Sequence, residues 1–540
     1  MTRRGQTWPV IVSALTGLAL MTAVEPAAAA VPGRGGAATA ATTRMAVQAL
    51  TDFDGDGLAD LVVGSPFEEV DGFLAAGGVN IIYGTSGGLD SAASFFISQN
   101  TPGVFGDAEQ NDEFGAAVAT GDFDGDGYTD LAIGVPGEDW IAIDDGFVHV
   151  LYGGPGGLTT AGSEYWSQDS LGIYGGAENF DGFGQSLAAA DFGNGLQDDL
   201  AVGVPLEDVD GQTDAGGVNV IYGTTSGLSS ARSFFFSQNT PGMYGVAESY
   251  DRFGFALAAA DFGDSSHADL AISVPYENNA ALDDGGVHVI AGGPAGLNAA
   301  DSFFWCQDST GVEGTAQDSD LFGYSLAAAD FGGTSYADLA VGVPYEDEIS
   351  GLADAGAVNV LYGSSTGLTA TGDQLWSQYS LSIAGDAAIG DHFGYSLAAA
   401  DFGNGSYDDL AIGVPSEDVS LVGQAGGVNV IYGSSTGLDS ANNAFWSQAS
   451  SGVIGIAEGD DLFGYSLAAA DFGNGSYADL AIGVPFEDSA ATDDGSVNVL
   501  YGSSTGLGTA DNQSWYQGSS GIFGDPLAQD RFGFSLAASA

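Results

Sequence analysis

Two stretches place carboxylates at a spacing that can do chemistry. In TDFDGDGLAD, Asp52, Asp54, Asp56 and Asp60 surround Gly55 and Gly57. In GDFDGDGYTD, Asp122, Asp124, Asp126 and Asp130 surround Gly125 and Gly127. Acids at alternate positions around glycine kinks can aim several oxygens at one centre. A hard cation such as calcium, which takes about six to eight oxygen ligands, needs that arrangement. Without a cation, carboxylates packed this way repel one another. Calcium binding is the chemistry expected of both loops, and a bare turn is the costlier alternative.

Five further stretches keep the frame without the full acid set: DFGNGLQDD, DFGDSSHAD, DFGGTSYAD, DFGNGSYDD and DFGNGSYAD. Their first and ninth positions stay acidic (Asp191 with Asp199, Asp261 with Asp269, Asp330 with Asp338, Asp401 with Asp409, Asp471 with Asp479). The third and fifth positions carry no carboxylate. Two acids make a weak site at best, whereas Asp beside Gly and Asn suits a hydrogen-bonded turn.

Other chemistries find little support. GSSTG at Gly363, Gly433 and Gly502 matches a hydrolase nucleophile pattern. That pattern needs a strand-to-helix elbow, a histidine and an acid, and here it recurs unit after unit as a hairpin turn. The four histidines are scattered along the chain, so no catalytic activity is expected. Seven Lys+Arg, all of them arginine, stand against 72 Asp+Glu, a net charge of −65. Such a surface repels phosphate backbones and anionic lipids, so nucleic acid is not an expected partner; cation binding or a high-salt habitat suits it. Cys306 is the only cysteine, which excludes an intramolecular disulfide.

The elements that must position these loops follow from a repeat. The motif G-x-P, or its variant Ser273-Val274-Pro275, ends at Pro66, Pro136, Pro205, Pro275, Pro344, Pro415 and Pro485, with spacings of 70, 69, 70, 69, 71 and 70 residues. Each unit reads as four short strands. In the sixth these are FGYSLAAADF (residues 393–402), LAIGVP, GVNVIYG and NNAFWSQ. Small residues in the first strand suit crowding around an axis. Seven such units predict an all-β fold, a seven-bladed β-propeller of four-stranded antiparallel blades, forming one domain over residues 45–540. The first unit lacks an FG strand and the chain ends in RFGFSLAASA (residues 531–540). The C-terminal strand is therefore expected to close the ring in the first blade, with Met45–Leu50 as a competitor. Ahead of the domain, Arg3 and Arg4, the apolar run Trp8–Val24 and EPAAAA read as a signal peptide over residues 1–30, with a flexible leader over 31–44.

The phenylalanine–glycine pairs, Phe114-Gly115, Phe183-Gly184, Phe253-Gly254, Phe322-Gly323, Phe393-Gly394, Phe463-Gly464 and Phe532-Gly533, with G-x-P closing each second strand, resemble the FG-GAP repeats of integrin α-subunit propellers and their exported bacterial relatives. The resemblance implies calcium in the hairpin loops and an extracellular recognition role. It implies the ligands Asp52, Asp54, Asp56, Asp60 and the Leu58 carbonyl in one loop, and Asp122, Asp124, Asp126, Asp130 and the Tyr128 carbonyl in the other. No D-x-S-x-S metal motif occurs, so integrin-style receptor signalling is not expected.

The chain is thus expected to be a secreted or cell-surface, calcium-binding, non-catalytic adhesion or interaction module. It is expected to be a monomer without a membrane span in its mature form, with a protein or glycan ligand at the cell surface or matrix. A lectin-like propeller and an accessory or cryptic hydrolase domain are the alternatives. Three recurrent features carry structural expectations. The acids after G-x-P (Glu138-Asp139 and equivalents) cap loops or form an acidic rim. Asp112, Asp181, Asp251, Asp320, Asp391, Asp461 and Asp530 make a structural hydrogen bond. Trp166, Trp305, Trp376, Trp446 and Trp515, with Ile97 and Phe236 in the same place, pack between blades.

Overall fold

The second strand of each unit, such as Asp130–Val135 (DLAIGV), is buried along its whole length. A continuous apolar run of this kind belongs in the middle of a sheet covered on both faces. The fourth strand, such as Thr159–Trp166, alternates toward solvent and lies at the outer edge. The computed structural model, which describes residues 51–263, 265–347 and 351–538, assembles these strands into seven four-stranded antiparallel sheets. The seven sheets are the blades of a β-propeller. The segments read from the sequence as a signal peptide and a leader, and Met45–Leu50, lie outside the described residues. No helix among the described residues is long and apolar enough to cross a membrane.

The innermost strands carry Leu and Ala (Leu257–Ala260, Leu397–Ala400 and Leu467–Ala470 all read LAAA). Each packs against the innermost strands of its neighbours. Small side chains allow seven strands to approach one axis. Closure follows the sequence expectation. Ser535–Ala537 pairs antiparallel with Leu61–Ser65, aligning Ser535 with Gly64, Leu536 with Val63 and Ala537 with Val62. It also packs against the inner strands of blades 2 and 7, completing the ring.

The first strand is shorter than its sequence suggests, running only over Leu397–Ala400 in blade 6. The FG pair ahead of it is a turn. Gly394 sits at φ +91°, and a Cβ there would lie 2.5 Å from the carbonyl oxygen of Ala357 in blade 5. Phe393 is fully buried, and its N–H donates to the Ala355 carbonyl at 3.0 Å. The pair therefore docks each blade onto the one before it.

A second interblade contact involves the acids after G-x-P. A Gln at the end of each outer strand donates to a Glu of the next blade, which is buried in six cases and half-buried at Glu487. Gln99 meets Glu138, Gln168 meets Glu207, Gln238 meets Glu277, and Gln307 meets Glu346. Gln378 meets Glu417 at 2.8 Å, Gln448 meets Glu487, and Gln517 meets Glu68 across the closure. Burial and neighbouring acids push Glu68 and Glu207 up to about 8 and Glu138, Glu277 and Glu417 up to about 7. These glutamates are clamps between blades. The aspartates after them cap their own loops, as Asp139 does for the Asp144 N–H at 2.7 Å. Asp112 and its equivalents each accept the N–H three residues earlier, at 2.6 Å for Glu109. The tryptophans pack against the hydrophobic clusters shared by adjacent blades, as expected.

Candidate metal loops

The ninth-position aspartate is the most constrained residue of each hairpin loop. In all seven blades its Oδ2 accepts the N–H of the buried second-position phenylalanine, at 2.7–3.1 Å. Its Oδ1 accepts a glycine N–H at the exit of the third strand, at 2.8–2.9 Å. Asp60 bonds Phe53 and Gly84; Asp130 bonds Phe123 and Gly153. This acid pins the loop to its own blade whether or not a metal set surrounds it.

In blades 1 and 2 further carboxylates gather beside the pin. One oxygen each from Asp52, Asp54 and Asp60 lie within 4.8 Å of one another, and the same holds for Asp122, Asp124 and Asp130. Asp52 shapes its loop by accepting Gly55 N–H at 2.7 Å and Asp56 N–H at 3.1 Å on Oδ1, and Gly57 N–H at 2.7 Å on Oδ2. Asp122 does the same for Asp126 and Gly127, both at 3.1 Å. Asp56 and Asp126 fall outside the trios; each accepts a local N–H, from Leu58 and from Tyr128, at 2.9 Å.

The electrostatics of both trios favour a cation. Burial first, then repulsion from Asp56 and Asp52, raises the Asp54 carboxyl. Burial holds Asp60 up at about 8 and Asp130 at about 8, despite their backbone hydrogen bonds, with neighbouring trio members adding to the rise. Asp122 and Asp124 are raised by the same causes. Among the described residues no arginine or histidine pairs with either trio; the one ion-pair contact joins His267 to Asp191 at 3.7 Å. Three converging carboxylate oxygens in a glycine-kinked loop are a donor set suited to calcium.

The other five loops are built differently. Position one makes a short turn to the third-position glycine, as Asp401 Oδ1 does with Gly403 N–H at 2.9 Å. Those glycines, Gly193, Gly263, Gly332, Gly403 and Gly473, lie at φ +103° to +117°. A Cβ on any of them would stand 1.6–1.7 Å from a carbonyl oxygen in the next blade's hairpin. No aspartate fits there.

The loops also bond to one another. The Asp122 carbonyl accepts Asp198 N–H at 3.0 Å, and the Asp471 carbonyl accepts Ala59 N–H at 2.9 Å across the closure. Two eighth-position residues that the sequence reading missed reach back to the metal-type loops. Thr129 Oγ1 accepts Asp52 N–H at 3.2 Å, and Asp198 Oδ2 accepts Asp122 N–H at 2.9 Å. Their constant place before the ninth-position acid was the available signal. GSSTG is a hairpin turn in which Ser364 Oγ donates to the Gly367 carbonyl at 2.6 Å. His149 and His288 are fully buried in third strands.

Comparison with known proteins accords with this architecture. The FG-GAP repeat family matches residues 45–76, 114–151 and 322–361. Phosphatidylinositol-glycan-specific phospholipase D of Rattus norvegicus is 28% identical over 450 residues, covering 78% of this chain and 50% of that protein. Integrin alpha-PS2 of Drosophila melanogaster is 29% identical over 279 residues, covering 49% of this chain and 18% of that one. The exotype rhamnogalacturonan lyase YesX superposes with a TM-score of 0.39 at 12% identity, covering 92% of this chain and 78% of that chain, which is too loose to bear on function. The chain spans half the length or less of these two relatives. It carries FG-GAP repeats and is homologous to integrin α chains and to the phospholipase.

Proposed function

We propose that this FG-GAP propeller binds calcium in its first two blades and acts outside the cytoplasm as a monomeric, non-catalytic interaction module. The observation that carries the reading is the pair of carboxylate trios, each with one oxygen per residue within 4.8 Å of the others and, among the described residues, without a cationic side chain to neutralise it. Asp52, Asp54 and Asp60 would hold one ion, and Asp122, Asp124 and Asp130 the other. Asp56 and the Leu58 carbonyl, with Asp126 and the Tyr128 carbonyl, would complete the shells. A bound ion offsets the repulsion within each trio. It thereby stiffens a loop that also bonds to the next blade, so its role is to hold the seam while recognition occurs elsewhere. The signal-like segment at residues 1–30 and the acidic surface support an exported protein. An adhesion role rests on the integrin homology.

The test is thermal melting of the full chain in calcium and in chelator, with Asp54→Ala and Asp124→Ala. Calcium should raise the melting temperature of the parent, less so that of each single variant. Equal melting of the parent in both conditions would sink the calcium reading. A second reading, an accessory domain of a hydrolase, is favoured by the long alignment with the phospholipase. A broad esterase and phosphatase screen separates the two, since turnover would displace the non-catalytic assignment.

A further inference from the structure

Blade 2 breaks the sevenfold pattern at one rim. Its third strand begins with Phe147, where blades 1, 3, 4 and 6 have Gly78, Gly217, Gly286 and Gly427. In those blades an aromatic ring of the fourth strand lies against the glycine, and a Cβ would meet it at 2.2–2.4 Å. In blade 2 the place is filled and an aromatic shelf builds outward. Tyr165 stacks on Phe147 at 5.6 Å, Phe105 stacks on Tyr165 at 3.9 Å, and Trp140 meets Phe105 edge-on at 5.5 Å. Trp140 is 47% exposed and Tyr165 39% exposed.

The loop that supplies Phe105 continues into the wall of a cavity. Asp107, Ala108, Glu109 and Gln110, with Phe73 and Asn100, line an open depression of about 670 Å³, within the size range of small-ligand sites. Phe73 is 45% exposed. Asn100 is held in place: its Nδ2 donates to Asp71 at 2.7 Å and its Oδ1 accepts Ala108 N–H at 3.0 Å. The cavity and the shelf therefore share one loop.

We propose that this rim of blades 1 and 2 binds a neutral oligosaccharide, with pyranose rings stacked on Phe73 in the cavity and on the Trp140–Tyr165 shelf. The C–H face of a pyranose carries partial positive charge and lies flat on the negative face of an aromatic ring. Its hydroxyls donate to the carboxylates of Asp107 and Glu109 and exchange bonds with the Gln110 amide. No basic side chain lines the cavity, so an acidic sugar or a phosphate has no counter-charge here. A cationic ligand would suit the whole surface of a −65 chain equally; the sugar reading rests on the joining of Phe105, Trp140, Phe147 and Tyr165 in one shelf whose loop runs on to the depression. The proposal rests on the interaction-module reading and names the ligand class.

The experiment applies the full chain to an array of neutral gluco-, galacto-, manno- and xylo-oligosaccharides, then titrates the best binder calorimetrically. Trp140→Ala and Phe73→Ala should each weaken binding roughly ten-fold or more, as expected for aromatic anchors. Tyr244→Ala, which removes an exposed ring stacked on Phe304 away from this rim, should leave affinity unchanged. Gln110→Ala probes the cavity without touching the shelf and should also weaken binding if a shelf variant fails to fold. Absence of any neutral-sugar binder, or binding that survives all three rim substitutions, overturns the proposal. A cationic peptide bound at this rim in place of sugar overturns it too, while leaving the interaction-module reading intact. Chromatography of the titrated sugar separates the remaining case: cleavage products would uphold the sugar site and remove the non-catalytic reading.

Discussion

The acid-rich loops of blades 1 and 2 and the acid-poor loops of blades 3 to 7 share one frame and differ at one contact. Both kinds bury a phenylalanine at the second position and pin it with a ninth-position aspartate that accepts two backbone N–H groups. At the third position the acid-poor loops press a glycine against the next blade's hairpin, whereas the acid-rich loops have Asp54 or Asp124. The carboxylate trio is thus an addition to a structural device found in every blade. A carboxylate at the ninth position recurs in every blade and is no sign of metal; one at the third marks a loop whose backbone there has left the positive φ that the glycines of the other five adopt.

The largest effect should come from deleting residues 531–540, which strips the inner strand from blade 1 alone. That deletion is expected to remove much of the roughly 5–15 kcal/mol that stabilises a typical domain, read by calorimetry. It should disturb the blade 1 loop before that of blade 2. Unchanged melting would mean that another segment, such as Met45–Leu50, can fill the gap. Next, Asp60→Ala and Asp479→Ala should each cost about 2–5 kcal/mol in chelator, since each orphans two backbone N–H donors. A loss confined to Asp60→Ala would break the claim that both loop types share the pin.

Grafting an acid into an acid-poor loop should fail. Gly403→Asp meets both the φ of +106° and the Ser503 carbonyl, and a cost of about 2–3 kcal/mol is expected from strain and displacement of the neighbour. Calcium stoichiometry by titration should stay at that of the parent; an extra site would refute the steric account. Asp54→Ala and Asp124→Ala should change chelator stability by less than about 0.5 kcal/mol. In calcium they should forfeit part of an increment of about 2.7 kcal/mol at a hundredfold excess over Kd.

The smallest effect distinguishes clamp from loop. Glu68, Glu138, Glu207, Glu277 and Glu417 have carboxyls raised to about 7 or 8, so between about 4.5 and that value the folded ring holds protons that the unfolded chain has released. Their contribution is therefore complete below about 4.5 and is lost as pH rises from there toward 8. Glu138→Gln, which keeps the shape, should flatten one share of that slope without altering the calcium increment. A slope that steepened instead would mean that the buried glutamate gains stability on ionising.

Much of this was legible before any coordinates. The constant spacing of G-x-P led to seven blades, and the unmatched terminal FG strand led to closure. The clamp was within reach as well, because Gln and Glu recur 39 residues apart in six of the seven pairs. It went unread because Glu68 is followed by Glu69 and Glu277 by Asn278, which hid two members behind a Glu-Asp pattern. The FG turn was read as strand because a buried phenylalanine beside small residues has the composition of one. The shelf on blade 2 had no local signal, since Phe105, Trp140, Phe147 and Tyr165 are spread over 60 residues and meet only through blade packing.

By itself the sequence determined the number of blades, the place of each loop and the two loops rich enough in carboxylates for calcium. Periodicity and spacing are local properties that survive without coordinates. Only the tertiary structure decided why five loops could not carry those acids, and which acids converge in the other two. The deciding contacts lie between blades, where a carbonyl from one repeat occupies the space a side chain of another would need.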